Sequence, residues 1–236
     1  MIQVIAFDLD DTLWAVKPII INAEERLNNW LAANVPQLKY DVSSMRELRH
    51  DLLNAEPQLI NRISEFRQRL MERAMMLSDI NAQLSNVLSH QAMEIFLEAR
   101  NEIVFYDGAM DAIKQLSSRF TLGALSNGNA DIKRLGLKDY FSFGFTAEEV
   151  GAPKPAPNLF NRALEHAGCE PHQMVYVGDD PVLDVDSANE RGLHTVWVKH
   201  PEKDKVGSTD PDEVIGHIRQ LPAAIDQLIR KLNAAG

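Results

Sequence analysis

The chain has 236 residues with the 45% hydrophobic and 25% charged content of an ordinary globular protein, and its single cysteine, Cys169, excludes an internal disulfide. The formal net charge of −10 has no basic run to balance it, which argues against nucleic acid or an anionic membrane as the main partner. There is no signal-peptide pattern and no apolar stretch of about 18 residues, so we expect a cytoplasmic protein.

An apolar, β-branched run over residues 2–7 predicts a buried strand, and Asp8, Asp10 and Asp11 follow it directly. Crowded carboxylates repel one another unless a cation lies between them. A solvated acidic turn would also account for three acids. The end of a buried strand is nevertheless where an open α/β sheet places its ligand site. The spacing of Asp8 and Asp10 further suits one side chain as a nucleophile and the other as a proton carrier.

From residue 16 to residue 101, apolar residues repeat at helical spacing in four successive stretches. The stretches are residues 20–31, 48–53, 59–74 and 84–96. Four helices without an intervening strand can pack as a small bundle. We therefore predict a helical domain over residues 16–101, inserted into a core domain that comprises residues 1–15 and 102–236.

Strand and helix patterns alternate from residue 107 onwards, beginning with a predicted helix over 108–118 and a strand over 120–125. That strand ends in Ser126, Asn127 and Gly128. A hydroxyl group and backbone N–H groups can bind phosphate there, although the same triplet is typical of a simple turn. Lys154 lies between two prolines and has the pattern of an exposed loop residue. A carboxylate-rich phosphate site would nevertheless need such a cation.

A second apolar strand, predicted over residues 174–177, is followed by Gly178, Asp179, Asp180 and then Asp184. The positive end of a helix dipole stabilises acidic side chains at the start of the helix. Asp184, taken alone, could therefore have a structural role and no part in binding a metal. Oxygen ligands without a nearby His or Cys cluster favour Mg²⁺ over zinc. The remaining predicted elements are a helix over 181–192, strands over 194–198 and 212–215, and a closing helix over 223–232.

The string Asp8-Leu9-Asp10-Asp11-Thr12 resembles the DxDxT motif of the haloacid dehalogenase-like superfamily, in its phosphatase branch. Ser126, Lys154 and the Gly178-Asp179 pair with its later acid are similar to the three other motifs of that family, and they occur in the family's order. The resemblance implies an α/β fold with a Rossmann-like, mainly parallel sheet flanked by helices. It also implies that the inserted helices form a cap domain.

The resemblance further implies a Mg²⁺-dependent phosphatase that acts through an aspartyl-phosphate. Its catalytic residues would be Asp8 as nucleophile, Asp10 as general acid and base, and Lys154. The residues implied for binding the phosphate or ordering its loop are Ser126, Asn127, Thr12 and Lys154. The metal ligands implied are Asp8, the backbone carbonyl of Asp10 and Asp179. Asp184 would bind the metal directly or hold one of its ligands, and Asp180 is an additional candidate.

The segments 55–57, 66–75 and 126–130 resemble bacterial phosphatases of flavin mononucleotide and of 5-amino-6-(5-phospho-D-ribitylamino)uracil. The implied partner is a small phosphate ester, with no nucleic acid or membrane, for a monomer or homodimer. Arg67 and Arg69 are candidate substrate contacts, although arginines on a helix are typical of a solvated face.

Several alternatives share the same core motifs. They are a nucleotidase, a sugar phosphatase, a phosphomutase and a non-catalytic binding protein that retains the fold. Dehalogenation is disfavoured because family dehalogenases lack the second acid, Asp10, and a halide leaving group needs no proton.

Overall fold

The computed structural model describes residues 1–39, 42–201 and 206–235. The chain forms two compact units. The core unit, Met1–Val16 with Ile103–Gly236, holds every strand among the described residues, and the second unit, Lys17–Glu102, is helical. Among the helices of the described ranges, none combines the length and the apolar character needed to cross a membrane.

Four α-helices make up the described part of the helical unit. They are α1 (Val16–Asn34), α2 (Val42–Ala55), α3 (Ile63–Met76) and α4 (Ala82–Arg100). Buried side chains from α1, α3 and α4, among them Leu27, Met75 and Phe96, pack into one hydrophobic cluster. Burial of such an apolar face, more than intrinsic propensity, stabilises helices of this length.

The predicted helical stretch over residues 59–74 is interrupted. A 3₁₀-helical turn, Pro57–Asn61, precedes α3, and Arg62 leaves helical geometry between the two with φ −124° and ψ 72°. Pro57 suits the start of such a turn because its φ is fixed and its missing N–H is not needed there. Ile60 is consequently 71% exposed and does not belong to the apolar face.

The predicted apolar face of α4 is also wrong in part, because Leu84 and Val87 are 43% and 47% exposed. The buried face of α4 instead includes Ser85, Ser89 and Ala92. These small side chains allow α3 and α4 to pack closely, so packing against a neighbour overrides hydrophobicity in choosing the buried face.

The described residues of the core unit form a six-stranded sheet. Its strands are β1 (Val4–Phe7), β2 (Thr121–Ser126), β3 (Phe141–Thr146), β4 (Met174–Gly178), β5 (His194–Val198) and β6 (Glu213–Ile215). They lie in the order β3-β2-β1-β4-β5-β6, and each neighbouring pair is parallel. This doubly wound arrangement confirms the predicted α/β fold. The strand order reverses between β1 and β4, and a sheet of this kind places its ligand crevice at that reversal.

Strand β3 is absent from the sequence-based prediction. Phe141, Phe143 and Phe145 alternate with Ser142 and Gly144, and glycine is a residue that is depleted in strands. The neighbouring strand β2 carries Gly123, where a Cβ atom would lie 2.1 Å from the Phe143 ring. A glycine therefore allows the large ring to pack across the two strands.

Five α-helices accompany the sheet within residues 103–201 and 206–235. They are α5 (Ala109–Ser117), α6 (Ala147–Val150), α7 (Asn158–Ala167), α8 (Ser187–Asn189) and α9 (Leu221–Ala235). The helix predicted over residues 181–192 is instead a π-helical turn, Pro181–Asp186, followed by the short α8. Such wide turns occur mostly at functional sites. This one directs Asp184 back towards the end of β4, where Asp184 Oδ2 accepts a hydrogen bond from Asp180 N.

Candidate active site

A cavity of about 180 Å³ lies in the core unit. Asp8 follows β1 and Asp179 follows β4, so the strand-order reversal brings both acids to the same crevice. Ser126 ends β2, and Lys154 lies in the loop between α6 and α7. The lining residues are Asp8, Asp10, Ser126, Asn127, Gly128, Lys154, Asp179, Asp180, Leu183 and Asp184.

Lys154 is buried, unlike the exposed loop residue that its local sequence favours. Its ammonium donates to Asp8 Oδ1 at 2.8 Å, to Asp184 Oδ1 at 2.7 Å and to Tyr176 Oη at 2.6 Å. Three acceptors use all three N–H groups of the ammonium. Burial alone would lower the pKa of Lys154, but Asp184 and Asp8 raise it well above its usual value, so the side chain is a fixed positive charge.

Asp8 lies in an environment that disfavours its charged form. Burial raises the pKa of Asp8 to about 8, Lys154 opposes the rise, and the carboxylates of Asp184 and Asp179 add to it. A single ammonium therefore does not compensate the negative charge at this point of the core.

The carboxylates of Asp8, Asp179 and Asp184 form a buried cluster, with one oxygen atom of each lying within 4.8 Å of the others. The Thr12 hydroxyl lies 3.2 Å from Asp8 Oδ2 and 3.3 Å from Asp179 Oδ1, and its single proton can serve only one of them at a time. Three carboxylates around one ammonium leave an excess of negative charge. An all-oxygen donor set with excess negative charge fits a hard divalent cation such as Mg²⁺.

The position of Asp184 depends on Gly178. A Cβ atom at Gly178 would lie 2.4 Å from the Asp184 carboxyl group, closer than real Cβ contacts allow. Asp180 has a different part, since its Oδ1 accepts hydrogen bonds from Val182 N and Leu183 N, both at 2.9 Å. Asp180 thus caps the π-helical turn that carries Asp184.

Ser126 and Asn127 lie on the cavity wall. Ser126 Oγ accepts a hydrogen bond from Gly128 N at 3.0 Å. The side-chain amide of Asn127 bonds the main chain of Lys154 through both of its polar ends. The contact of Asn127 with phosphate stays a prediction, as does the metal contact of the Asp10 carbonyl.

Sequence reasoning assigned no role to Tyr176 or Trp14. The buried Tyr176 hydroxyl accepts from Lys154 and donates to the Leu125 carbonyl at 3.0 Å. Trp14 donates from its indole to Asp10. The sequence signal that could have found them is a Tyr or Trp within an apolar segment. Such a residue is buried and usually needs a hydrogen-bond partner.

Known proteins are similar to this chain along most of its length. A hydrolase family model, haloacid dehalogenase-like hydrolase, matches residues 2–192. The chain is 30% identical over 218 residues to the 5-amino-6-(5-phospho-D-ribitylamino)uracil phosphatase YigB of Escherichia coli (strain K12). The alignment covers 92% of this chain and 91% of YigB. It is 27% identical over 240 aligned positions to the glyceraldehyde 3-phosphate phosphatase of Methanopyrus kandleri, with 98% and 99% of the two chains covered.

A solved structure is also similar. The 2-haloacid dehalogenase from Pseudomonas syringae pv. Tomato DC3000 has a TM-score of 0.92 and 36% identity, with 96% of this chain and 99% of that chain covered. Because the family model spans most of the chain and the relatives align with it almost from end to end, the protein is an enzyme of the haloacid dehalogenase-like hydrolase family.

Proposed function

We propose that the protein is a Mg²⁺-dependent phosphomonoester hydrolase that acts through a phosphorylated Asp8. The observation that carries the proposal is the contact between Lys154 and Asp8 inside a buried cluster of acids, with Asp10 on the same cavity. A buried carboxylate beside a fixed cation is a suitable nucleophile for a dianionic ester, since the cation offsets the repulsion between them.

The chemistry assigns one step to each side chain. Asp8 attacks phosphorus, and Asp10 gives a proton to the departing alcohol oxygen. Asp10 then takes a proton from the water that releases phosphate from Asp8. The positive charge of Lys154 would offset the charge of the phosphoryl oxygens, and the Ser126 hydroxyl would bind one of them.

We further propose that Asp8, Asp179, Asp184 and the Asp10 carbonyl hold the magnesium ion. Bound there, Mg²⁺ would neutralise part of the charge on the transferring phosphoryl group. The support is the donor set, which is rich in carboxylate oxygen and deficient in positive charge.

The proposed substrate is a small phosphorylated metabolite such as flavin mononucleotide or the ribitylaminouracil phosphate, and the likeness to YigB supports it. A sugar phosphatase or nucleotidase is the alternative within the same chemistry, and the likeness to the glyceraldehyde 3-phosphate phosphatase favours the sugar phosphate. We propose that the helical unit acts as the cap that selects among these esters. Arg67 pairs with Glu24 and lies over the Phe96 ring, which favours a structural part for this arginine.

The similarity to a 2-haloacid dehalogenase makes dehalogenation the second candidate. A dehalogenase displaces a halide from carbon, and the halide leaves without a proton. That reaction would need no proton from Asp10, which lies on the cavity wall, whereas an alcohol leaving group needs a proton donor. The residue therefore favours the phosphatase.

The experiment measures phosphate release from flavin mononucleotide, the ribitylaminouracil phosphate, sugar phosphates and nucleoside monophosphates, and halide release from 2-chloropropionate, with and without Mg²⁺. We expect Mg²⁺-dependent phosphate release that Asp8→Asn abolishes. Asp226→Asn is the matched control, because Asp226 pairs with Arg119 on the surface. Halide release without phosphate release would establish the dehalogenase and overturn the phosphatase.

A further inference from the structure

The indole of Trp14 donates a hydrogen bond from Nε1 to Asp10 Oδ1 over 2.9 Å. Trp14 is completely buried, whereas Asp10 reaches the cavity that contains Asp8 and Lys154. The bond therefore joins a side chain fixed in the core to the carboxylate that the proposed function uses for proton transfer.

The loop that carries Trp14 is itself held firmly. The Trp14 ring packs edge-to-face on Phe105, with the ring centroids 5.7 Å apart, and the two residues also form a main-chain bridge. The Trp14 carbonyl accepts from Asp11 N at 2.7 Å. Asp11 has a left-handed φ of 60°, and its Oδ1 accepts from Val16 N at 2.9 Å. The chain thus turns back after Asp10 and presents the indole to its side chain.

The direction of this hydrogen bond constrains Asp10. An indole N–H is a donor only, so the oxygen that it contacts must act as an acceptor. The ring also restricts rotation of the carboxylate, because turning Oδ1 away would leave a buried N–H without its partner.

We propose that Trp14 is a positioning residue that holds the Asp10 carboxyl group in the orientation for proton transfer. This inference rests on the proposed phosphatase function. In the first step the Asp8–phosphorus bond forms, the bond from phosphorus to the ester oxygen breaks, and the proton moves from the Asp10 carboxyl group to that oxygen. In the second step the Asp10 carboxylate takes a proton from water as the water oxygen bonds phosphorus and the Asp8–phosphorus bond breaks.

The test compares phenyl phosphate with 4-nitrophenyl phosphate, which have nearly the same shape but different needs for a proton. The 4-nitrophenolate ion leaves readily without one, whereas phenolate is the more basic leaving group. The ratio kcat/KM reports the step in which the leaving group departs. A general acid contributes about 10²–10⁴-fold, so we expect Trp14→Phe to reduce kcat/KM about tenfold for phenyl phosphate and less than about twofold for 4-nitrophenyl phosphate.

Two further variants separate positioning from packing. Replacing Trp14 with its benzothiophene isostere, β-(3-benzothienyl)alanine, keeps the ring volume and removes only the N–H, so it should show the same selective loss even if Trp14→Phe folds poorly. Trp197→Phe deletes an indole N–H that donates to the Asp179 carbonyl, and it should change both substrates by the same factor. In an Asp10→Asn background, the Trp14 substitution should have no further effect on the ratio between substrates.

The outcomes are distinct. A selective loss for phenyl phosphate in both Trp14 variants, absent from Trp197→Phe, supports the inference. Equal loss for both substrates would overturn it and leave the phosphatase function standing. Failure of the wild-type enzyme to release phosphate from either ester, or from the wider panel of phosphate esters, would overturn the proposed function and the inference together.

Discussion

Asn127 and Lys154 exchange two hydrogen bonds: Lys154 N donates to Asn127 Oδ1 at 2.7 Å, and Asn127 Nδ2 donates to the Lys154 carbonyl at 3.0 Å. The two residues are far apart in the chain and belong to different loops. Since the bonds involve the main chain of Lys154, they fix where its side chain begins. The loop after β2 therefore helps to place the ammonium against Asp8.

Asn127→Ala should displace the Lys154 loop because both bonds are lost. We expect the free energy of unfolding to fall by about 1–2 kcal/mol, and phosphatase activity to fall with it. Chemical denaturation and steady-state kinetics measure the two effects. Asn233→Ala, at an exposed position of α9, is the control. Unchanged activity in Asn127→Ala would show that the Lys154 loop keeps its place without the pair.

Tyr176→Phe should weaken the site by removing one oxygen atom. The ammonium of Lys154 would lose one acceptor and the Leu125 carbonyl would lose its donor, both in buried positions. Leaving such groups unsatisfied costs about 1–3 kcal/mol each. The Tm of thermal unfolding and kcat should both decrease. Tyr140→Phe, at a half-buried tyrosine, is the control. A variant with wild-type stability and kcat would contradict this account of Tyr176.

Gly178→Ala should impair binding of Mg²⁺ by pushing Asp184 from its position. Mg²⁺ at 100 times its dissociation constant should stabilise the wild type by about 2.7 kcal/mol, and the variant should lose most of this effect. Differential scanning fluorimetry with Mg²⁺ or with a chelator measures the shift. At Gly216 a Cβ atom would meet its nearest neighbour only at 4.0 Å, so Gly216→Ala is the control. An equal Mg²⁺ effect in both variants would rule out the proposed part of Asp184 in the metal site.

Asp212 should make stability dependent on pH. Burial would raise its pKa, but His194 and the Thr195 N–H, which donates at 2.9 Å, hold the pKa of Asp212 below its usual value. A carboxylate with a lowered folded pKa stabilises the protein above its unfolded pKa of about 4, and loses this contribution as the pH falls through the folded value.

Asp212→Asn should accordingly lower the free energy of unfolding by about 1 kcal/mol near neutral pH. The difference from wild type should shrink as the pH drops below about 4. Urea unfolding across this range, with the exposed Asp139→Asn as reference, measures it. A difference that stays constant with pH would mean that the ionised form of Asp212 contributes no stability.

The strands that carry the site could be predicted because they are buried on both faces. Residues of β1 and β4 form apolar runs that stand out from any helical pattern, and the acids after them mark the sheet edge. The loop residues Ser126 and Lys154 were found through their resemblance to a family, since their local sequences indicate a turn and an exposed loop.

The remaining features depend on packing between distant segments. The burial of Lys154 and its bond to Tyr176 require the loop after α6 to lie over β4. The buried face of α4 depends on how closely α3 approaches, and β3 depends on a glycine in the neighbouring strand. A local pattern contains no information about such partners, because only the folded chain brings them together.

The pairing of Trp14 with Phe105 bears on how such an enzyme evolves. The core chain departs and returns at adjacent points, so a segment of any length can be inserted there without changing the register of the sheet. If the helical unit selects the substrate, as we propose, exchange of residues 17–102 for another insert should change which esters are accepted and leave the strand-end residues in place. Trp14 lies at that junction and donates to Asp10, so a single side chain links the point of insertion to the cavity.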